Sequence, residues 1–313
     1  MRRVALTLPA QRSIRQAIAR VQTAEALGIE SVWVPQLETA RDAMTVLAAY
    51  AQSTTRIGLG TAVLPALTRH PTAMAQAAMT LDELSGGRFS LGLGFGHRAI
   101  AREAWGVNPG SAVNLLRQYV AILRDSFDLG ASRFSGDDYS VRWSYQGPRR
   151  PGMRILIGGL SPGLLRLAGE VADGIVLWMC SPGYTRDVVI PELTEGRRQR
   201  GRTLEGFEVM TQVPCCVTSD TETGLMLVRG LLRPAMSLDA YRQVLSRSGF
   251  AAQVERGDLD DASLHELAGI GSADTVRELA GRHLEAGCTL INLVPLPDHP
   301  GAAGLEKTVE ALR

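Results

Sequence analysis

RIGLGTAVLPALTRHP (residues 56–71) and, one helix later, LDELSGGRFSLGLGFGH (residues 81–97) decide the fold of this 313-residue chain. Each places a short β-rich run ending in small residues before a loop. A helical pattern separates the two runs, as βα units on a parallel sheet require. The first run, residues 56–60, leads into Gly-Thr-Ala-Val, and the second, residues 88–94, ends in Gly-Phe-Gly-His. Glycine at two successive strand ends lets a flat, bulky group approach the main chain, which a side chain there would obstruct. Tight turns alone explain either cluster taken singly. Together they mark one face of the sheet as a working face.

The same alternation extends in both directions. Eight strand candidates occupy residues 4–8, 31–34, 56–60, 89–94, 154–157, 174–178, 209–217 and 289–294. Eight βα units in a chain of this length predict an α/β (β/α)8 TIM barrel, read as one domain over residues 1–313. Ile14, Ala17, Ile18, Val21 and Ala24 form one apolar helix face before Gly28, and Met74, Ala78, Leu81 and Leu84 form another before Gly86. Both patterns stop at glycine, and Pro71 and Pro162 each open a helix at a first-turn position. Two regions exceed a minimal barrel. Residues 132–150 read as a short β excursion, and residues 231–267 as a longer, partly helical insertion expected to shape the mouth of the site.

Composition narrows the function classes. The net charge of +1 comes from intermixed acids and bases, which leaves no basic stripe for nucleic acid and no polybasic segment for a membrane. A small-molecule substrate is the better expectation. Of 33 basic residues only Lys307 is lysine, so a bound phosphate or carboxylate must be held by arginine, hydroxyls or main-chain amides. Cys180, Cys215, Cys216 and Cys288 have neither metal-ligand spacing nor a disulfide framework. No metal site is expected. MRRVALTLP is too short in its apolar part for a signal peptide and no run approaches a membrane span, so a soluble, cytoplasmic protein is expected.

In a barrel the chemistry belongs at the carboxyl ends of the strands. The candidates there are Gln36, Thr61, Ala62 and Val63, Gly94, His97, the run Gly158, Gly159, Leu160 and Ser161, and Trp178. Ser161 followed by Pro162 makes a capped helix start whose free amides can receive a phosphate without lysine. His97 follows a glycine at a strand end and can exchange a proton near neutral pH. His70, directly before Pro71, reads as structural. Trp178 can stack on a ring or belong to the core.

AEALGIESVWVP (residues 24–35), RIGLGTAVLPALTRHP, LDELSGGRFSLGLGFGH and LLRLAGEVADGIVLW (residues 164–178), in that order, resemble the luciferase-like monooxygenase superfamily, especially its coenzyme F420-dependent oxidoreductase branch. The resemblance implies a barrel with insertions, usually a homodimer. It implies a deazaflavin held over a bulge after the third strand, with a non-prolyl cis peptide at Ala62–Val63, a cofactor tail at Gly158 to Ser161, and His97 as the proton-handling group. The activity it implies is hydride transfer to an activated C=C, C=N or C=O bond. Sugar-phosphate dehydrogenases of the family carry Asp-His after strand two, where this chain has Gln36 and Leu37. That substitution argues against sugar-phosphate oxidation. An FMN-dependent two-component monooxygenase and a non-catalytic, cofactor-free barrel are the competing readings.

Overall fold

The computed structural model describes residues 3–10, 13–296 and 303–310. Met1, Arg2 and residues 311–313, the ends of the expected domain, lie outside the described residues. Eight parallel strands form the framework: β1 (Val4–Thr7), β2 (Ser31–Val34), β3 (Gly58–Thr61), β4 (Phe89–Gly94), β5 (Arg154–Gly158), β6 (Gly174–Trp178), β7 (Glu208–Val217) and β8 (Leu290–Pro295). Each pairs in parallel with its neighbour in sequence, and β8 returns to pair with β1. The sheet is therefore closed, and the expected TIM barrel is the observed fold.

All eight expected strands are present, with ends displaced by at most two residues. The largest displacement has a local cause. The Glu25 carboxylate accepts the amides of Thr55, Arg56 and Ile57 at 2.8, 2.6 and 3.0 Å, so those residues form a turn and β3 begins only at Gly58. Glu25 also lies just before the helix stop at Gly28, where φ is +77°.

Period-two alternation sorts the strand residues into two layers. Ala5, Trp33, Ala62, Leu156, Val176, Met210 and Leu290 pack together as the barrel interior. Leu6, Val32, Leu59, Leu91, Ile157 and Leu293, from the alternate positions, join the larger core shared with the surrounding helices. The interior is closed at the amino-terminal end of the strands by ions. Glu208, 3% exposed, accepts from Arg3 at 2.9 Å and from Arg154 at 3.3 Å.

Two additions leave this frame. An antiparallel hairpin, Ala131–Ser135 with Ser140–Ser144, precedes β5. Helices Thr221–Leu232, Asp239–Leu245, Ala251–Arg256 and Asp261–Leu267 follow β7, after which Gly269–Gly271 pairs with the far end of β7. Among the described residues no helix is long and apolar enough to cross a membrane.

One buried group makes the fold acid-sensitive. His283, on helix Ala273–Glu285, is 1% exposed, and neither ring nitrogen has a hydrogen-bond partner among the described residues. Burial lowers its pKa from 6.5 to about 4, with Arg282 adding to the shift. The unfolded chain therefore binds the proton more tightly. Stability is complete above pH 6.5 and falls as pH drops through about 4, by about 1.4 kcal/mol per unit within that window. His283→Leu is expected to flatten this part of the stability-versus-pH curve in urea titrations. An unchanged slope between pH 6.5 and 4.5 would show that His283 is not its source.

Candidate functional site

The site is built outward from the end of β3. After Thr61 the chain bulges through a cis Ala62–Val63 peptide and rejoins the sheet as Leu64–Pro65, which pairs with the end of β4. β2 holds the bulge in place. The Ala62 amide donates to the Val34 carbonyl at 3.0 Å, and the Gln36 amide donates to the Val63 carbonyl at 3.4 Å. Thr61, fully buried, ties the bulge to β4 from the other side. Its Oγ1 donates to the Gly92 carbonyl at 2.7 Å and accepts from the Gly92 amide at 2.9 Å.

The strand-end glycines have a different immediate use from the one their sequence spacing suggests. A Cβ at Gly92 would collide with the Thr61 carbonyl oxygen. One at Gly94 would lie 2.6 Å, and one at Gly158 2.9 Å, from the Val63 Cγ2. At Gly60 the obstacle is the Trp33 indole. The space freed by these glycines is therefore filled by the chain itself: Trp33 beneath the bulge and Val63 within it. Val63 remains half-buried, so the result is a firm wall with one aliphatic side chain toward the barrel mouth.

Three other candidates surround this wall. Gln36 spends its side chain locally, accepting from the Ala43 amide at 2.8 Å and donating to the Leu37 carbonyl at 3.0 Å, so it fixes the start of helix Ala43–Ser53. Gly158, Gly159 and Leu160 lead into Ser161, which caps helix Pro162–Val171 by accepting from the Leu164 amide at 3.4 Å. Tyr184 donates to the Leu160 carbonyl at 3.0 Å and steadies that loop. This loop has no acidic side chain, and its helix start offers amides to an anion. Trp178 ends β6 half-buried and packs against the core of the insertion. A wall built on Val63 beside a capped helix start with free amides is chemically compatible with a planar cofactor that carries a phosphate-bearing tail.

His97 stands at the start of helix Arg98–Glu103 but makes no capping hydrogen bond. Its ring packs against Tyr241, with centroids 5.0 Å apart and planes tilted 53°. Burial pushes the imidazole below its ordinary value, and the Glu38 carboxylate opposes that shift. His70, by contrast, caps helix Pro71–Ser85 and stacks edgewise on Tyr139.

Sequence reasoning missed two groups. Tyr241 comes from the insertion, away from any strand end. Thr7, Gln212 and Asn292 form a neutral polar cluster in the upper barrel, with Thr7 Oγ1 at 3.2 Å from Gln212 Oε1 and 3.1 Å from Asn292 Oδ1. They were detectable as polar residues on the inward period of β1, β7 and β8. The four cysteines are buried, and burial raises the thiol pKa of Cys180, Cys215 and Cys288. Among the described residues no group of three or more His, Cys, Asp or Glu can hold a metal ion.

The wall makes a graded prediction. Gly94→Ala meets a side-chain methyl and is expected to cost about 1–3 kcal/mol, the usual range for overpacking. Gly92→Ala meets a backbone carbonyl and should cost more. Adding Val63→Ala should rescue Gly94→Ala and leave Gly92→Ala unrescued in thermal unfolding. Equal rescue of both would contradict the packing described.

Residues 1–288 match the family model for luciferase-like monooxygenase. A Mycobacterium tuberculosis protein with the provisional name coenzyme F420-dependent oxidoreductase is 28% identical over 312 residues, covering 87% of this chain and 88% of its own. The coenzyme F420-dependent tetrahydromethanopterin reductase of Methanopyrus kandleri superposes with a TM-score of 0.82 at 20% identity, covering 99% of this chain and 96% of that one. The oxygenating constituent of 3,6-diketocamphane monooxygenase of Pseudomonas putida, in complex with FMN, superposes with a TM-score of 0.74 at 18% identity, covering 99% and 96%. Both structures show the same fold. With a family model spanning most of its length, the chain belongs to the luciferase-like monooxygenase family.

Proposed function

We propose that this chain is a coenzyme F420-dependent oxidoreductase that moves a hydride between the deazaflavin and an activated C=C, C=N or C=O bond of a small organic substrate. The observation that carries this reading is the Val63 wall, braced by Gly94 and Gly158 beside the capped start of helix Pro162–Val171. The Mycobacterium relative, similar along most of its length, supports the choice of coenzyme. When bound, the deazaflavin supplies two-electron hydride chemistry.

The residues of the chain orient and protect. Ala62 and Val63, fixed by the amides at 62 and 36, set the depth of the ring. Thr61 contributes through its main chain, since its hydroxyl is already engaged with Gly92. Gly158, Gly159, Leu160 and Ser161 hold the tail. Trp178 offers a flat face for stacking on the cofactor ring. His97 gives or takes the proton that balances the hydride, and Gln36 keeps the loop after β2 from moving into the ring. Fixing both reactants in one orientation is the larger share of the rate gain. A homodimer in the cytoplasm belongs to the same reading.

An FMN-dependent monooxygenase would use the same wall and the same helix start, so coenzyme binding decides between the two. Purified protein is titrated with oxidised and reduced F420 and, in parallel, with FMN. F420 is expected to bind at least about tenfold more tightly, a difference of about 1.4 kcal/mol. The reverse order would assign the protein to the oxygenases, and binding of neither would leave the cofactor-free barrel. In the F420-loaded enzyme, His97→Gln is expected to lower kcat by about 10²–10⁴ with F420 affinity unchanged. Full turnover by that variant would remove His97 from the chemistry.

A further inference from the structure

Tyr241 lies far from His97 in sequence, on helix Asp239–Leu245 of the insertion, yet it supplies the ring against which His97 packs. Neither His97 nor Tyr241 has a side-chain hydrogen bond to any described residue, and neither is among the buried polar groups left without solvent. For His97 this is unusual, because its place at a helix start offers amides that its side chain leaves unused. With no hydrogen bond to direct it, the imidazole is oriented by packing. Tyr241 is the ring that does the packing.

The groups around the pair leave few other candidates. Glu38, exposed on the loop after β2, favours the protonated ring. Arg98 is adjacent in sequence but donates to the Pro109 and Gly110 carbonyls at 2.7 Å each, and its guanidinium lies 5.4 Å from the Phe95 ring centre. Cys180 acts on the Tyr241 side, where burial pushes the phenol up to about 12, so the phenol stays protonated at neutral pH. Tyr241 is itself firmly seated. Its neighbours Val244 and Leu245 are buried, and Leu245 belongs to a core with Val228, Leu232 and Met179. Met179 enters that core through a left-handed backbone, φ +57°, immediately after Trp178. Such a conformation is uncommon for a residue with a side chain and persists where the surroundings hold it.

We propose that Tyr241 is a positioning residue for His97: the insertion delivers its ring to clamp the imidazole at the barrel mouth and to limit the water around it. The insertion thereby carries part of the site, in addition to bounding it. Only the kinetic arm of the test rests on His97 being the proton-handling group. The structural arm stands without any cofactor or substrate.

The test is a histidine ring titration by NMR on the full chain, with the His97 signal assigned by its loss in His97→Gln. In the wild type a ring-to-ring NOE between His97 and Tyr241 is expected, and His97 should titrate below 6.5. Tyr241→Phe, which keeps the ring, should leave that midpoint in place. Tyr241→Ala, which admits water, should shift it upward, with Glu38 then unopposed. Absence of the NOE, an unmoved midpoint in Tyr241→Ala, or a shift in Tyr241→Phe as large as in Tyr241→Ala would each overturn the proposal. Should Tyr241→Ala fail to fold, the NOE still decides it, and any shift of the midpoint in Tyr241→Phe then counts against the proposal. In the loaded enzyme the acid limb of kcat/KM should follow the same order. If F420 turnover is absent, the F420 reading fails and the titration result stands by itself.

Discussion

The working face depends on the fit of one side chain. Val63 can occupy its position only because Gly94 and Gly158 have no Cβ, and the bulge that presents it can form only because Gly92 lets the Thr61 carbonyl approach. β4, with the sequence FSLGLG, gives up strand propensity at two of six positions to allow this. The loss is offset on the opposite face, where Phe89, Leu91 and Leu93 are all buried against the helices. Interiors are packed nearly as densely as organic crystals, so a wall backed by such packing yields little. That rigidity is what the proposed planar cofactor would require of its support.

The barrel interior changes character along its axis. At the amino-terminal end, Glu208 is neutralised by Arg3 and Arg154, and Arg3 also pairs with Glu30. At the carboxyl end the polar groups are neutral: Thr7, Gln212 and Asn292. Thr7 has one hydroxyl proton and two acceptors within reach, while Asn292 Nδ2 has no partner among the described residues. Reversing the Asn292 amide lets it donate to Thr7, which then donates to Gln212, an assignment that hydrogen-bond logic favours. A neutral upper interior suits the proposed hydride transfer, in which a fixed charge beside the ring would shift the carrier's potential.

The barrel was legible in the sequence because its signals are local and repeated: short apolar runs, period-two alternation and helices that stop at Gly28 and Gly86. The start of β3 was not, since it depends on a carboxylate from the preceding helix, Glu25, reaching three amides at residues 55–57. Strand ends located the candidate residues around the mouth. What occupies the space at each glycine was invisible, because it depends on which side chain crosses from a neighbouring strand. The same limit hid Tyr241: an aromatic residue in a helical insertion carries no mark of the loop it will meet.

The insertion also links folding to the site. Its apolar core draws on Trp178, the last residue of β6, and includes Met179, the first residue after it. The insertion therefore cannot reorganise without disturbing a strand end that faces the mouth. A histidine held by hydrogen bonds would keep its direction through such a disturbance. His97 has none, so its direction is set by the packing of Tyr241, and through it by the integrity of the insertion core. Part of the precision of the mouth thus resides in the one large segment that the barrel itself does not need.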